Sequence, residues 1–259
     1  MSSYLDYYGL QKAPFDSRPG RGPVLATGAL REGLEWVTRH LEADHTLLCV
    51  GGTEGVGRSS LARVLPGRLA SSCRVARLVD PRRPWPELRV NIADQLSLNQ
   101  AISRAALISA RSQGDRIVLL VDAAERADHE LLKHLDELLD MSGPARERLV
   151  QIVLFARDPE TGREPAWRWL DDRRALVHPL DRISPTEIAG YVRRRLETAG
   201  CRPGDLFSES AVLVVHRHSQ GVARRINLIC DVVLAAAARD GVRKVDAHRV
   251  DQIMGSSGR

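Results

Sequence analysis

A glycine-rich segment between residues 52 and 60 has the residue types and the spacing of a phosphate-binding loop. It reads Gly52-Thr53-Glu54-Gly55-Val56-Gly57-Arg58-Ser59-Ser60. Glycines let successive backbone N–H groups approach phosphate oxygens, because no Cβ stands in the way. The Ser59 hydroxyl is suited to ligate Mg²⁺. The spacing follows G-x-x-x-x-G-K-S/T, except that Arg58 takes the lysine position, where a longer, planar and forked cation is not a conservative exchange.

The flanking elements are those that such a loop requires. The apolar run 47–50 predicts a buried strand, and apolar spacing from residue 61 predicts a helix that stops or kinks near Leu65, because Pro66 follows. A helix beginning there directs its positive N-terminal end at the same anion. A β–α turn that holds no ligand would show the same glycines, so this alternative stays open.

Composition places the chain among globular proteins of one or two domains. It has 259 residues, of which 43% are hydrophobic and 27% charged, and its formal net charge is +5. This basicity permits nucleic-acid or anionic-surface binding. The absence of a long apolar run or signal-peptide pattern predicts a cytoplasmic protein without a transmembrane segment. The widely spaced cysteines at positions 49, 73, 201 and 230 predict reduced thiols, not a zinc site or disulfides.

Strand-like runs alternate with helical patterns in the first two thirds of the chain. Besides 47–50, strands are predicted over 74–80, 116–122, 149–155 and 174–180. Their alternation with helices predicts a three-layer αβα fold with a five-stranded parallel sheet. The run 116–122 is apolar on both faces and ends in Asp122, at the edge where such sheets place ligands.

The hydrophobic period changes after residue 180, which divides the chain into segments. Residues 1–28 are predicted to be an extended or loop segment that packs on the core, and 29–180 to be the α/β domain. A capping box from Ser184 to Glu187 begins an all-helical domain of four helices over 181–254. Residues 255–259 are predicted to be a flexible tail.

This layout resembles the AAA+ P-loop ATPases and is most similar to the general secretion pathway protein A (ExeA-like) family. Three stretches carry the resemblance: YLDYYGL at 4–10 followed by Pro14-Phe15, SQGVARRIN at 219–227, and LVQIVL at 149–154. The resemblance implies an α/β nucleotide-binding domain followed by a helical lid. It also implies ATP and Mg²⁺ as cofactors, and assembly into a homo-oligomer or with a partner AAA+ subunit.

Family roles transfer to individual residues as implications of the resemblance. Asp122 matches the Walker B aspartate and, with Ser59, would hold Mg²⁺; the alternative is a strand-end acid that caps the next turn. Arg224 matches the lid arginine that touches the γ-phosphate. Arg173 or Arg174 lies where a finger arginine would reach a neighbouring subunit's nucleotide, unless the two form a solvated basic pair.

The sequence departs from the family at the end of the third strand. The family has Asp-Glu there, whereas this chain has Asp122-Ala123-Ala124-Glu125. Loss of a positioned general base costs roughly 10²–10⁴-fold in rate. Glu125 could take over this role if the strand continued two residues further, because positions 123 and 125 would then point the same way.

The retained loop and the missing glutamate predict a nucleotide-dependent assembly switch or scaffold with weak or no ATP hydrolysis, and the resemblance implies a place in secretion or cell-envelope machinery. A secretion or envelope membrane protein is a possible partner. Two alternatives stay open: an active AAA+ motor for envelope or secretion assembly, and a DNA-associated helper ATPase of the transposition type. A metal enzyme is disfavoured, since His216 and His218 lie two residues apart on a predicted helix and hence on different faces.

Overall fold

The computed structural model describes residues 4–16, 24–98, 101–160, 164–201 and 206–256, which divide into two units. The α/β unit comprises 30–54 and 58–180; the helical unit comprises the N-terminal residues to 29, Gly55–Gly57 and the residues from 181 onward. The strands are β1 Leu47–Gly52, β2 Cys73–Leu78, β3 Arg116–Asp122, β4 Gln151–Arg157 and β5 Leu176–Pro179. The α-helices are α1 Tyr4–Tyr8, α2 Gly28–Glu42, α3 Arg58–Val64, α4 Trp85–Gln95, α5 Arg104–Ser112, α6 His129–Asp140, α7 Pro165–Asp172, α8 Ile188–Thr198, α9 Glu209–Ser219, α10 Ala223–Arg239 and α11 Ala247–Ser256.

The α/β unit contains a five-stranded sheet in the order β2-β3-β4-β1-β5, and every paired strand is parallel to its neighbour. The predicted parallel αβα fold is therefore confirmed. In this register Asp122 of β3 lies beside Phe155 of β4, and Gly52 of β1 lies beside Arg157. The carboxyl ends of β1, β3 and β4 consequently meet at one edge of the sheet.

The core of this unit covers both faces of the central strands. Leu119 and Val121 of β3 pack in a cluster that α4 to α7 complete, with Leu107 and Leu135 among its fully buried members. Leu120, which points to the opposite face, is also fully buried. Burial on both faces explains why β3 reads as a continuous apolar run.

The helical unit is built from α8 to α11 together with α1. The prediction of an extended or loop segment over 1–28 is wrong for Tyr4–Tyr8, which forms a short helix. Such a helix is too short to be stable alone, but Tyr8 donates a hydrogen bond to the Val242 carbonyl at 2.8 Å. Tyr4 bonds the Asp231 carboxylate on α10. Tertiary anchoring of residues four apart, on one helix face, therefore overrides the loop signals of the sequence.

Two boundaries in the helical unit differ from prediction. The capping box at 184–187 forms a turn, and α8 begins only at Ile188. Ser184 Oγ donates to Glu187 Oε2 at 3.0 Å, so the serine bonds the glutamate side chain where a capping serine would accept a backbone N–H. At the other end α11 continues to Ser256, which takes in the first two residues of the predicted tail. The remaining positions, 257–259, lie outside the described residues.

Helix α7, at Pro165–Asp172, was not predicted from the sequence. The break after the phosphate loop is confirmed, since α3 ends at Val64 and a 3-10 turn follows at Leu65–Arg68.

No helix in the described part of the chain combines the length and apolar character needed to cross a bilayer.

Candidate functional site

The glycine-rich loop connects β1 to α3, as the sequence predicts. Strand β1 ends at Gly52, and α3 begins at Arg58. Gly55 has φ +81° and Gly57 has φ +132°, both in the region that favours glycine. The two glycines let the backbone turn within five residues from the edge of the sheet into the first turn of a helix.

Ser59 and Asp122 lie together, although 63 positions separate them in the chain. Ser59 Oγ donates to Asp122 Oδ1 at 2.9 Å, and the Ala123 backbone N–H donates to the same oxygen at 3.0 Å. Asp122 is 5% exposed, whereas Ser59 faces solvent. The first turn of α3 and the end of β3 are thereby joined through one buried carboxylate.

Arg77 of β2 is a member of the site that sequence reasoning missed. Its Nη2 donates to Asp122 Oδ2 at 2.6 Å, and the two side chains are 23% and 7% exposed. The Arg77 backbone is held by Gln95, whose Oε1 accepts the Arg77 N–H at 2.9 Å and whose Nε2 donates to the Arg77 carbonyl at 3.2 Å. The signal in the sequence was an arginine between Ala76 and Leu78 in the interior of the predicted strand 74–80.

The side chain of Arg58, which occupies the lysine position of the motif, contacts the first residue of the loop. Its Nη1 donates to the Gly52 carbonyl at 2.6 Å, and the same oxygen accepts the Asp158 N–H at 3.1 Å. Burial lowers the pKa of Arg58, while the nearby carboxylates of Glu125, Asp158 and Asp122 act in the opposite direction. The guanidinium remains protonated, and its charge is balanced by side chains of the chain itself.

Glu125 does not occupy the place of the missing glutamate. Strand β3 ends at Asp122, Ala123 has left-handed backbone angles of φ 53° and ψ 40°, and a 3-10 turn follows at Ala124–Arg126. Strand β3 therefore does not continue to residue 125, and the side chains at positions 123 and 125 do not share a strand face. Glu125 Oε2 instead accepts the Arg157 backbone N–H at 2.9 Å, which links the turn to the end of β4.

The two finger-arginine candidates have different surroundings. Arg173 donates to both oxygens of Asp140, at 2.9 and 3.2 Å, and contacts Asp136 Oδ1 at 2.8 Å. The Asp140 hydrogen bond raises the pKa of Arg173, and the guanidinium lowers the pKa of Asp140. Arg174 is exposed and has φ 50°, at the turn between α7 and β5. A role for either toward a neighbouring subunit stays a prediction.

Arg224, the lid-arginine candidate, lies in the first turn of α10. Its backbone N–H donates to the Gly55 carbonyl at 3.1 Å, which explains why Gly55–Gly57 group with the helical unit. A Cβ at position 55 would lie 2.7 Å from the Arg224 Cβ, so glycine is required there by contact as well as by φ. Contact between the Arg224 side chain and a γ-phosphate stays a prediction.

The environment of Asp122 fits a Mg²⁺ ion poorly. A carboxylate offers about four lone-pair positions. Three of them accept hydrogen bonds from Ser59, Ala123 and Arg77. A divalent ion at this carboxylate would also lie beside a guanidinium of like charge. Within the described residues no group of three or more His, Cys, Asp or Glu side chains is arranged to hold a metal ion.

This sheet order, with the loop after β1, the acid after β3 and a helical unit that follows β5 in the chain, is the fold of AAA+ P-loop ATPases. Three solved structures share it. Aeropyrum pernix ORC2 is 13% identical, with TM-score 0.66, over 95% of this chain and 71% of that one. Cdc6p of Pyrobaculum aerophilum is 16% identical, with TM-score 0.68, over 94% and 70%. The Thermotoga maritima RuvB Holliday junction branch migration motor is 13% identical, with TM-score 0.55, over 90% and 70%. At these identities the likeness establishes the fold alone.

Among proteins of known name, the chain is similar to general secretion pathway protein A of Aeromonas hydrophila. The two are 29% identical over 256 residues, which cover 93% of this chain and 46% of that protein. The chain thus spans about half the length of this relative. No family model matches the sequence. The resemblance identified from the sequence is confirmed.

Proposed function

We propose that this protein is an AAA+ switch that binds ATP at the loop of residues 52–60 and hydrolyses it slowly or not at all. The observation that carries the proposal is the loop between β1 and α3, with Gly55 and Gly57 at positive φ and with Ser59 bonded to Asp122. A structural neighbour, ORC2 of Aeropyrum pernix, has been solved as ADPNP and ADP complexes.

Slow hydrolysis follows from what stands at the end of β3. Ala123 has no group that accepts a proton from water, and the Glu125 carboxylate is engaged with the Arg157 N–H at 2.9 Å. A missing general base lowers the rate by roughly 10²–10⁴-fold. Binding does not depend on these groups, since backbone N–H groups and the α3 N-terminus are retained.

The Arg58 side chain is expected to contribute little to the grip on phosphate. Its Nη1 donates to the Gly52 carbonyl, and the charges of Glu125, Asp158 and Asp122 raise its pKa against the effect of burial. A cation already paired with its own chain adds less attraction for a phosphate than an unpaired lysine would. The loop amides therefore supply most of the affinity in this proposal.

The biological setting is proposed from similarity alone. Likeness to general secretion pathway protein A supports a place in a secretion pathway. A membrane protein of secretion or cell-envelope machinery is the partner proposed for it. Assembly with further copies or with another AAA+ subunit would follow nucleotide occupancy. An active motor in the same machinery is a variant of this proposal that differs only in its turnover.

A DNA-associated role is the second candidate. It is supported by the net charge of +5 and by likeness to Aeropyrum pernix ORC1, solved in complex with DNA, at TM-score 0.63 and 17% identity over 93% of this chain. Binding to duplex DNA that weakens steeply with salt would favour this candidate. Lack of DNA binding at low salt would exclude it.

The test measures ATP affinity by calorimetry beside phosphate release, with adenosine as the ligand that lacks phosphates. ATP is expected to bind and adenosine is not, and turnover is expected to be near the background rate. Arg58→Ala should change the ATP dissociation constant by less than about tenfold, or roughly 1.4 kcal/mol. Arg58→Lys is its charge-retaining control.

Two results would reject the proposal. If neither wild type nor Arg58→Lys takes up ATP, the loop is not a nucleotide site. Brisk turnover that Glu125→Gln abolishes would instead make the protein an active ATPase with Glu125 as its base.

A further inference from the structure

The ion pair between Arg77 and Asp122 places a cation on the carboxylate that, with Ser59, would hold a nucleotide-bound metal. Arg77 Nη2 is 2.6 Å from Asp122 Oδ2, and the Asp122 side chain is only 7% exposed. A hydrogen bond between two charged groups is about twice as strong as a neutral one. A metal ion that used this carboxylate would have to displace the guanidinium or lie against it.

The position of Arg77 is set by its own strand and helix. Gln95 of α4 bonds both the N–H and the carbonyl of Arg77, and Gln95 Nε2 also donates to Asn91 Oδ1 at 2.6 Å. The Arg77 side chain therefore extends from a backbone segment that Gln95 holds by two hydrogen bonds at the outer edge of the sheet. Such a cation is preorganised at the carboxyl end of the sheet before any ligand arrives.

Arg77 also carries a donor that no group satisfies. Its Nε is buried and has no hydrogen-bond partner among the described residues. Buried donors are rarely left unpaired, because each one loses its hydrogen bond to water. An unpaired N–H carries partial positive charge, so this side of the guanidinium disfavours a metal ion beside it.

We propose that Arg77 replaces Mg²⁺ in this site, so that this chain binds ATP without a divalent cation. The guanidinium would neutralise phosphate charge while remaining bonded to Asp122, a task that arginine's planar, forked donors suit. This inference rests on the proposed nucleotide function and deepens it. It also agrees with slow hydrolysis, since a guanidinium neither activates water nor offers coordination sites as a metal ion does.

The experiment compares the ATP dissociation constant in excess Mg²⁺ with that in excess EDTA. For wild type the two values are expected to agree within about threefold. For Arg77→Met, ATP binding in EDTA should weaken by about tenfold or more, and Mg²⁺ should restore part of the loss. Arg77→Lys retains a charge and is expected to lie between these limits.

Arg74→Met is the matched control. Arg74 lies on the same strand and bonds Asp115 through its Nε at 2.6 Å, away from Asp122. Its loss should leave the Mg²⁺ dependence unchanged. Tryptophan fluorescence checks that each variant is folded, and the wild-type comparison needs no variant at all.

The outcomes separate the two proposals. Wild-type binding that requires Mg²⁺ would overturn the role of Arg77 and leave the nucleotide site intact. That role would be overturned as well if Arg77→Met bound ATP in EDTA as tightly as wild type does. Absence of ATP binding with and without Mg²⁺ would reject the nucleotide function itself, and this inference with it.

Discussion

Replacing Arg77 by methionine should destabilise the α/β unit measurably, whatever the site binds. The pair it forms with Asp122 is largely buried, with side-chain exposures of 23% and 7%. Breaking a buried pair costs roughly 3–5 kcal/mol, and a single hydrogen bond to a charged group contributes about 1.5–3 kcal/mol. Because Asp122 keeps its bonds from Ser59 and Ala123, and Arg77 is partly hydrated, we expect a loss of about 2–3 kcal/mol.

Urea unfolding followed by tryptophan fluorescence measures this loss in the relevant unit. The four tryptophans, at positions 36, 85, 167 and 169, all lie in the α/β unit. A double-mutant cycle of Arg77→Met with Asp122→Asn should give a coupling energy of about 1–3 kcal/mol, because each single change leaves the other group without its charged partner. Arg82→Met is the control, since its pair with Asp80 is solvent-exposed and should contribute nothing measurable.

Two results would refute the reasoning about this pair. One is a set of single variants that each unfold within about 0.5 kcal/mol of wild type, as surface substitutions do. The other is simple additivity in the double variant, which would mean that the two side chains do not interact in solution.

Two further predictions concern other parts of the chain. Gly55→Ala should destabilise the helical unit by about 1–3 kcal/mol and weaken ATP binding, since φ is +81° and the new Cβ would lie 2.7 Å from that of Arg224. Gly190→Ala on α8 meets nothing within 4 Å and should raise the melting temperature measured by circular dichroism; an equal response of the two variants would contradict the contact argument. Burial raises the pKa of the Cys49 thiol to about 12, so Cys49 should resist alkylation until the protein unfolds, whereas the half-buried Cys73 should react before Cys49 as the pH rises. Mass spectrometry of the alkylated protein checks the order, and equal labelling of both thiols in the folded protein would be inconsistent with this burial.

Local patterns were sufficient for the five strands and for one half of the site, but not for helices α1 and α7. The apolar runs and glycines around residues 47–61 predicted β1, the loop and α3, because strand, turn and helix signals all lie within a short stretch. The acid at the end of the run 116–122 was found for the same reason, since parallel strands bring their carboxyl ends to one edge. Asp128, Ser208 and Asp246 each accept a hydrogen bond from the backbone N–H three positions on, which is typical of residues that cap the start of a helix.

Local sequence patterns did not predict the turn geometry after β3 or the side-chain partners of Arg173. Glu125 had the right spacing for a strand that continued, yet left-handed Ala123 ends β3 and directs Glu125 to the Arg157 N–H. Arg173 reads as one of two adjacent arginines, yet Asp136 and Asp140 on α6 engage it and leave Arg174 exposed. Each outcome depends on a group that is distant in the sequence.

Arg77 is the clearest case of a residue whose contacts depend on the tertiary structure and not on the local sequence. The runs RVARLVD at 74–80 and RIVLLVD at 116–122 predict two strands but do not determine which of their residues lie opposite one another. In the structure Arg77 pairs with Leu120, two residues from Asp122 and on the same face. A shift of one residue moves every side chain of a strand to the other face of the sheet. The sequence alone therefore determined which charged residues the two strands carry, and only the packed register, set by burial of the apolar face, decided that this cation and this carboxylate meet.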